Sequence, residues 1–229
     1  MADKHTLRIF DEDLDNLRGE VVKLAGQVEE ELEQALTALM NSDLELAREV
    51  VVSDRQADAL QEAITVHTAR VLARQQAMAT DLRAILAASR MAPHLERIGD
   101  YAKNTAKRVQ RLSSPIDREM AAQFHWMGER IKSMLRRVTD AYVRRDAELA
   151  NVTWADDAEL DAVYSKLFEH LLGIMRDDKD RVADGTQLLF IAKGLERAGD
   201  HVTDIAEEVY LMVTGKPLQG PRPKVDEAG

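Results

Sequence analysis

Glu96-Arg97-Ile98-Gly99-Asp100 returns 100 positions later as Glu196-Arg197-Ala198-Gly199-Asp200, and this recurrence organises the whole chain. Working outward from it, Leu17, Val21, Leu24, Val28, Leu32 and Ala35 step by three or four residues, the stripe of an amphipathic helix. Each stands 103 positions before Met120, Phe124, Met127, Ile131, Leu135 and Val138. A constant offset across a whole helix means that one unit has been built twice. The drop from 103 to 100 makes the connection before the third helix three residues longer in the first half.

Within each unit the stripes and breaks mark three long helices. The first is interrupted at Asn41-Ser42-Asp43, the second runs from about Asp43 to Gln75, and the third from about Asp81 to Leu112, before Ser113-Ser114-Pro115 closes the half. The second half resumes at Met120, breaks at Arg144-Arg145-Asp146 and continues as two more long helices. Three helices with one apolar stripe each are buried most simply as a bundle. The expected fold is therefore all-α, two tandem and similar three-helix bundles over residues 1–114 and 115–214. The stretch GKPLQGPRPKVDEAG at 215–229 has almost no large apolar residue and is expected to be a disordered tail.

Composition narrows the function. Apolar residues make up 45% of the chain but aromatics only 4%, so the core is aliphatic and favours helices. With no cysteine there is no disulfide, thiolate ligand or thiol nucleophile. A net charge of −10, without a basic cluster of useful size, argues against nucleic acid as a partner. Met1–Phe10 lacks the apolar run of a signal peptide and no stretch has the length of a membrane span, so a cytoplasmic location without a span is expected. The phosphate-cradling GxxxxGK[ST], GxGxxG and HExxH are all missing, as is any glutamate three residues before a histidine, which a ferritin-like di-iron centre requires. The expectation is a protein that binds rather than catalyses.

The chemistry-bearing residues are repeated carboxylates. Asp54 and Asp58 correspond to Asp157 and Asp161, and Glu96 and Asp100 to Glu196 and Asp200. Each pair is spaced i, i+4, which puts two carboxylates on one helix face about 6 Å apart along the axis. Pairs from neighbouring helices would make a cage of oxygen ligands suited to hard or borderline cations. Asn104 and Asp204 extend the stripes by another turn. Chance alone gives about seven acidic i, i+4 pairs in so acidic a chain, so a single pair means little and solvated faces or ion pairs to Arg97 and Arg197 are the competing reading. Gly99 and Gly199 each cost roughly 1 kcal/mol relative to alanine inside a helix, pointing either to a closely approaching ligand or to tight helix packing. The histidines, His67, His94 and His201 among them, turn away from the acidic stripes and read as surface or interhelix residues.

These segments together, with Asp81-Leu82-Arg83 opening the third helix, resemble the PhoU family over roughly residues 9 to 214. The resemblance implies a two-fold repeat of a three-helix bundle, and metal clusters on paired E(D)xxxD motifs. Carried over, it implies Asp54, Asp58, Glu96 and Asp100 for one site and Asp157, Asp161, Glu196 and Asp200 for the other; Asp204, by its place one turn further along the stripe, is read as an additional oxygen ligand of the second site. The metal would be Fe, Mn, Mg or Zn. The resemblance also implies negative regulation of the phosphate-starvation response, contacts with a sensor histidine kinase and with the ATPase subunit of the phosphate ABC transporter at the inner membrane, and a homodimer. Departures from the family pattern are Gln75-Gln76-Ala77-Met78-Ala79, where proline is frequent, and the small Ala198 before Gly199. Asp204 opposite Asn104 makes the second site the more anionic and the expected tighter one. A metal buffer or a plain scaffold is the alternative function.

Overall fold

The computed structural model describes residues 2–74, 79–156 and 158–218, so Asp157, the Gln75–Met78 part of the loop and most of the tail lie outside the described residues. The described elements are helices α1 (Ala2–Asn41), α2 (Leu44–Arg74), α3 (Ala79–Val109), α4 (Arg118–Arg144), α5 (Ala147–Ala155), α6 (Ala158–Asp177) and α7 (Val182–Thr214), with a short 3-10 turn at Lys179–Arg181. No strand occurs among the described residues. The apolar stripe is the core: Leu17, Val21, Leu24, Val28, Leu32 and Ala35 are buried, as are Met120, Phe124, Met127, Ile131, Leu135 and Val138. α1, α2 and α3 pack on one another, and α4 packs with α5, α6 and α7.

The same turn joins the first two helices of each half. Ser42 (φ 54) and Arg145 (φ 55) take the left-handed conformation that ends a helix, although neither is glycine. Asp43 then accepts hydrogen bonds from the Glu45 and Leu46 amides at 3.0 Å, and Asp146 accepts from the Leu149 amide at 3.0 Å, each satisfying amides at the next helix's start.

One expectation fails. The long fifth helix is two helices, α5 and α6, broken after Ala155. The reason lies in the partners of the break. Asp156 caps the end of α5, its amide donating to the Thr153 carbonyl at 3.3 Å, and its carboxylate pairs with Arg137 and, at 3.3 Å, Arg130 on α4, while the buried Trp154 donates its indole N–H to Glu207 of α7 at 2.9 Å. A straight helix has to choose between these two faces; a broken one serves both.

The bundles meet through α1 against α4 and α3 against α7. These contacts obey a local two-fold relation. Glu29 pairs with Arg136 at 2.6 Å, and the equivalent residues give the pair Lys132 with Glu33. On the other seam His94 meets His201, and the equivalent contact is Gly194 on Tyr101, where a methyl group would stand 3.6 Å from the ring. The Arg90–Glu208 ion pair at 3.3 Å has as its counterpart Arg108 stacked over Phe190, 4.2 Å from the ring centre. The duplicated unit thus packs on its own copy, with the contact geometry kept and the chemistry changed.

Candidate functional site

Each bundle presents carboxylates between its second-helix region and its third helix. In the first, α2 supplies Asp54, buried, and Asp58, exposed, while α3 supplies Glu96 and Asp100, both half-buried. The Lys103 ammonium lies between the two helices, donating to Asp54 at 2.7 Å and to Asp100 at 2.5 Å. Burial works against its charge, but the bonds to Asp100 and Asp54 outweigh that and hold its pKa above the usual lysine range. Arg97 adds an exposed pairing with Asp100 at 3.4 Å, so ion pairing is part of this site.

A fifth carboxylate, which the repeat pattern did not disclose, completes the cluster. Glu31 of α1 is fully buried; one oxygen accepts from Gln27 at 2.9 Å and the other has no hydrogen-bond partner. That unpartnered oxygen stands 3.2 Å from where a Cβ on Gly99 would sit, with Val28 at 3.4 Å, so glycine is what lets α1 and its carboxylate approach this closely without a shift of a few tenths of an ångström. Burial, reinforced by the Asp54 and Asp58 charges, pushes Glu31 up to about 7. Burial also raises Asp54 despite Lys103, and burial with the Asp100 charge raises Glu96. Several carboxyls are thus held above their ordinary range, chiefly by burial and secondarily by one another's charge.

The second cluster is built differently. Glu196 binds Lys193 at 2.8 Å, and that ammonium also lies 5.2 Å from the centre of the Tyr164 ring on α6. Asp161 stands in the first turn of α6, which packs on α7, and Asp200 follows Glu196 by one turn. Thr203 replaces Lys103, its hydroxyl turned back to the Asp200 carbonyl at 2.7 Å, and the buried Met134 replaces Glu31. Asp204 faces the α3–α7 seam, where its carboxylate is 3.5 Å from both His94 and His201. Asn104 lies on the seam too, beside Tyr101, Arg108 and Phe190. His67 bridges α2 to α1 through Glu20 at 3.0 Å, and His94 and His201 meet across the α3–α7 seam.

The repeated carboxylate scaffold has known counterparts. The sequence profile described as PhoU domain matches residues 21–109 and again 124–209. The chain belongs to the PhoU family. A Rhizobium meliloti (strain 1021) protein named phosphate-specific transport system accessory protein PhoU homolog is 40% identical over 227 residues, covering 99% of this chain and 96% of its own. The crystal structure of PhoU from Pseudomonas aeruginosa superposes with a TM-score of 0.86 at 31% identity, covering 90% of this chain and all of its own. That of the phosphate transport system regulatory protein PhoU from Streptococcus pneumoniae gives 0.85, also at 31% identity, over 92% of this chain and 99% of its own. The two PhoU matches fall on the two bundles, so the duplicated unit read from the sequence is the family's domain. Membership gives the chain a role in regulating phosphate transport. No described helix is long and apolar enough to cross a membrane.

The donor type of the first PhoU unit, carboxylate oxygen throughout, is that of a hard-cation site, and one oxygen of the buried Glu31 has no hydrogen-bond partner; among the described residues, however, the three acidic or imidazole donors that come within 4.8 Å of one another are His94, His201 and Asp204, not members of this cluster. Lys103 is the competing occupant.

Proposed function

We propose that this PhoU-family chain restrains the phosphate-starvation response as a metal-binding helical adaptor between the ATPase subunit of the phosphate ABC transporter and the sensor histidine kinase. It acts by binding rather than catalysis, in the cytoplasm at the inner face of the membrane, as a homodimer, with its two units divided near residue 114. The observation that carries the reading is the match of both halves to the PhoU domain together with relatives named as accessory proteins of phosphate transport. Asp54, Asp58, Glu96 and Asp100 would hold a cation in the first unit, and Asp161, Glu196 and Asp200, with Asp157, in the second. Such an ion, Mg, Mn, Fe or Zn, would neutralise clustered charge and fix the helices that carry it.

Two measurements test this. Deleting the gene should raise phosphatase output in phosphate-rich medium, and restoring it should lower that output; an unchanged output sinks the regulatory role. Metal-dependent survival without a phosphate phenotype would instead assign the chain to metal buffering. Elemental analysis of protein purified without chelator should show metal that falls in Asp58→Asn, Asp100→Asn, Asp161→Asn and Asp200→Asn; a metal-free, folded wild type removes the ion from the mechanism.

A further inference from the structure

The α3–α7 seam holds a second kind of donor set. His94 of α3 and His201 of α7 bring their Nδ1 atoms to 3.0 Å, and one Asp204 oxygen lies 3.5 Å from each. Zinc in a tetrahedral site, with bonds of about 2.0–2.2 Å to nitrogen and oxygen, keeps its ligand atoms about 3.3 Å apart. The triangle on the seam has that size. We propose that His94, His201 and Asp204 form a site for a divalent transition metal of the zinc class, which clamps the two bundles together across the α3–α7 seam.

The chemistry separates this site from the carboxylate clusters. Two imidazoles and one carboxylate favour Zn, Co, Ni or Cu, whereas the all-oxygen clusters suit Mg or Mn. The donors ride on rigid helices: His201 and Asp204 are three residues apart on α7, and the Tyr101 ring stacks on His201 at 5.9 Å with 24° between planes, restricting its rotation. Side-chain exposures of 30% for His94, 23% for His201 and 37% for Asp204 leave a path for the ion and room for water as a fourth ligand.

The local two-fold relation sharpens the argument. At the equivalent positions on the other side of the axis stand Gly194, Tyr101 and Asn104, which cannot reproduce the donor set. The site therefore occurs once per chain, and only the histidine side of the seam can be clamped. Its ion joins the bundles, whereas the carboxylate clusters join helices within a bundle. The inference does not depend on any role in phosphate regulation.

The test uses the full chain stripped of metal. Cobalt(II) titrated in the presence of millimolar magnesium should give the visible d–d band of a four-coordinate site at one equivalent, and zinc should displace it. His94→Gln and His201→Gln should each weaken zinc binding at least about tenfold while keeping the helical circular dichroism spectrum. Asp58→Asn and Asp161→Asn should leave the band intact. Zinc should raise the melting temperature of the wild type and not of His94→Gln. Copper(II) on the unaltered protein provides a readout that needs no variant: pulsed electron paramagnetic resonance should show imidazole nitrogen coupling. No cobalt band, oxygen-only coordination of copper, or a band unchanged in both histidine variants overturns the proposal.

Discussion

The two carboxylate clusters sit on one repeated scaffold and differ in how their charge is balanced. On α3, Lys103 is wedged between Asp54 and Asp100, and the buried Glu31 adds a carboxyl beneath Gly99. In the second cluster the corresponding residues are Thr203 on α7 and Met134 on α4, and the Lys193 ammonium binds Glu196 and lies over the Tyr164 ring of α6. A duplicated backbone therefore fixes where the carboxylates are without fixing what neutralises them. The first cluster holds Lys103 between Asp54 and Asp100, a position that Thr203 takes in the second, where Lys193 binds Glu196.

The largest test of that difference removes the internal cation. Lys103→Met leaves the buried Asp54 facing Asp100 and Asp58 with no ammonium between them, and should cost metal-free protein ~2–4 kcal/mol. Urea denaturation measures it, and millimolar Mn²⁺ should return much of the loss, because a cation then takes the vacated place. Thr203→Met, at the equivalent position, should move stability by less than about 1 kcal/mol, the scale of one hydroxyl-to-carbonyl hydrogen bond. Equal losses in the two variants would break the comparison.

Glu31 provides the next test, with a defined pH window. Its carboxyl is raised from 4.5 to about 7, so the folded state binds the proton more tightly than the unfolded state does. Stability contributed by this group falls as pH rises from about 4.5 to about 7, and the deficit is complete above that range. Glu31→Gln keeps an oxygen to accept from Gln27 but cannot ionise. It should be nearly neutral at pH 4.5 and stabilising by ~2–3 kcal/mol above pH 7.5 in metal-free protein. Chemical denaturation at several pH values checks this; a gain independent of pH would mean that packing, not ionisation, sets the effect.

Asp184 contrasts the starts of the two third helices. At the head of α7 it accepts from the Ser113 amide at 2.9 Å and from the Ser113 and Ser114 hydroxyls at 2.8 and 3.0 Å, tying the interbundle linker to the second half. Burial would raise its pKa, but the hydrogen bonds from Ser113 and Ser114 prevail and lower it. A depressed folded pKa contributes stability that is present above the unfolded value and lost as pH falls through the folded one. Asp184→Asn should cost ~1–2 kcal/mol at pH 7 and progressively less in acid. A loss that persists unchanged in acid would show that shape, not charge, holds the linker.

The repeat made most of this fold legible because a stripe buried at every turn leaves a period that survives duplication. Leu17 to Ala35 and Met120 to Val138 are core as read. The break at Asp156 escaped because its cause is long-range: Arg130 and Arg137 on α4 and the Trp154 partner Glu207 on α7 decide it, and no local glycine or proline announces it. The four carboxylates of the first cluster lie near enough to act on one another's charge, but no three of them bring ligand atoms within 4.8 Å. Glu31 escaped because its counterpart is Met134, so it does not recur as the other acids do; the signal was a glutamate three residues after Val28, in line with the buried stripe. Lys103 was equally visible in principle, three residues after Asp100, the reach at which helix side chains pair. The histidine seam required knowing that α3 packs on α7, which periodicity within a helix does not contain.

The smallest expected effect tests the scaffold itself. Ser42 and Arg145 hold equivalent left-handed positions, with φ of 54 and 55, each followed by a capping aspartate. A non-glycine residue there costs roughly 1 kcal/mol or more, and glycine removes that strain but gives back about half through a freer unfolded chain. Ser42→Gly and Arg145→Gly should therefore each gain ~0.5 kcal/mol, a rise in melting temperature of about 1–2 °C. Neither side chain enters the two clusters, so the gains should be alike and additive, since the turns lie in separate bundles. If only one variant gains, the repeated turns are held by different forces despite matching geometry, and divergence between the halves would reach the backbone as well as the charges.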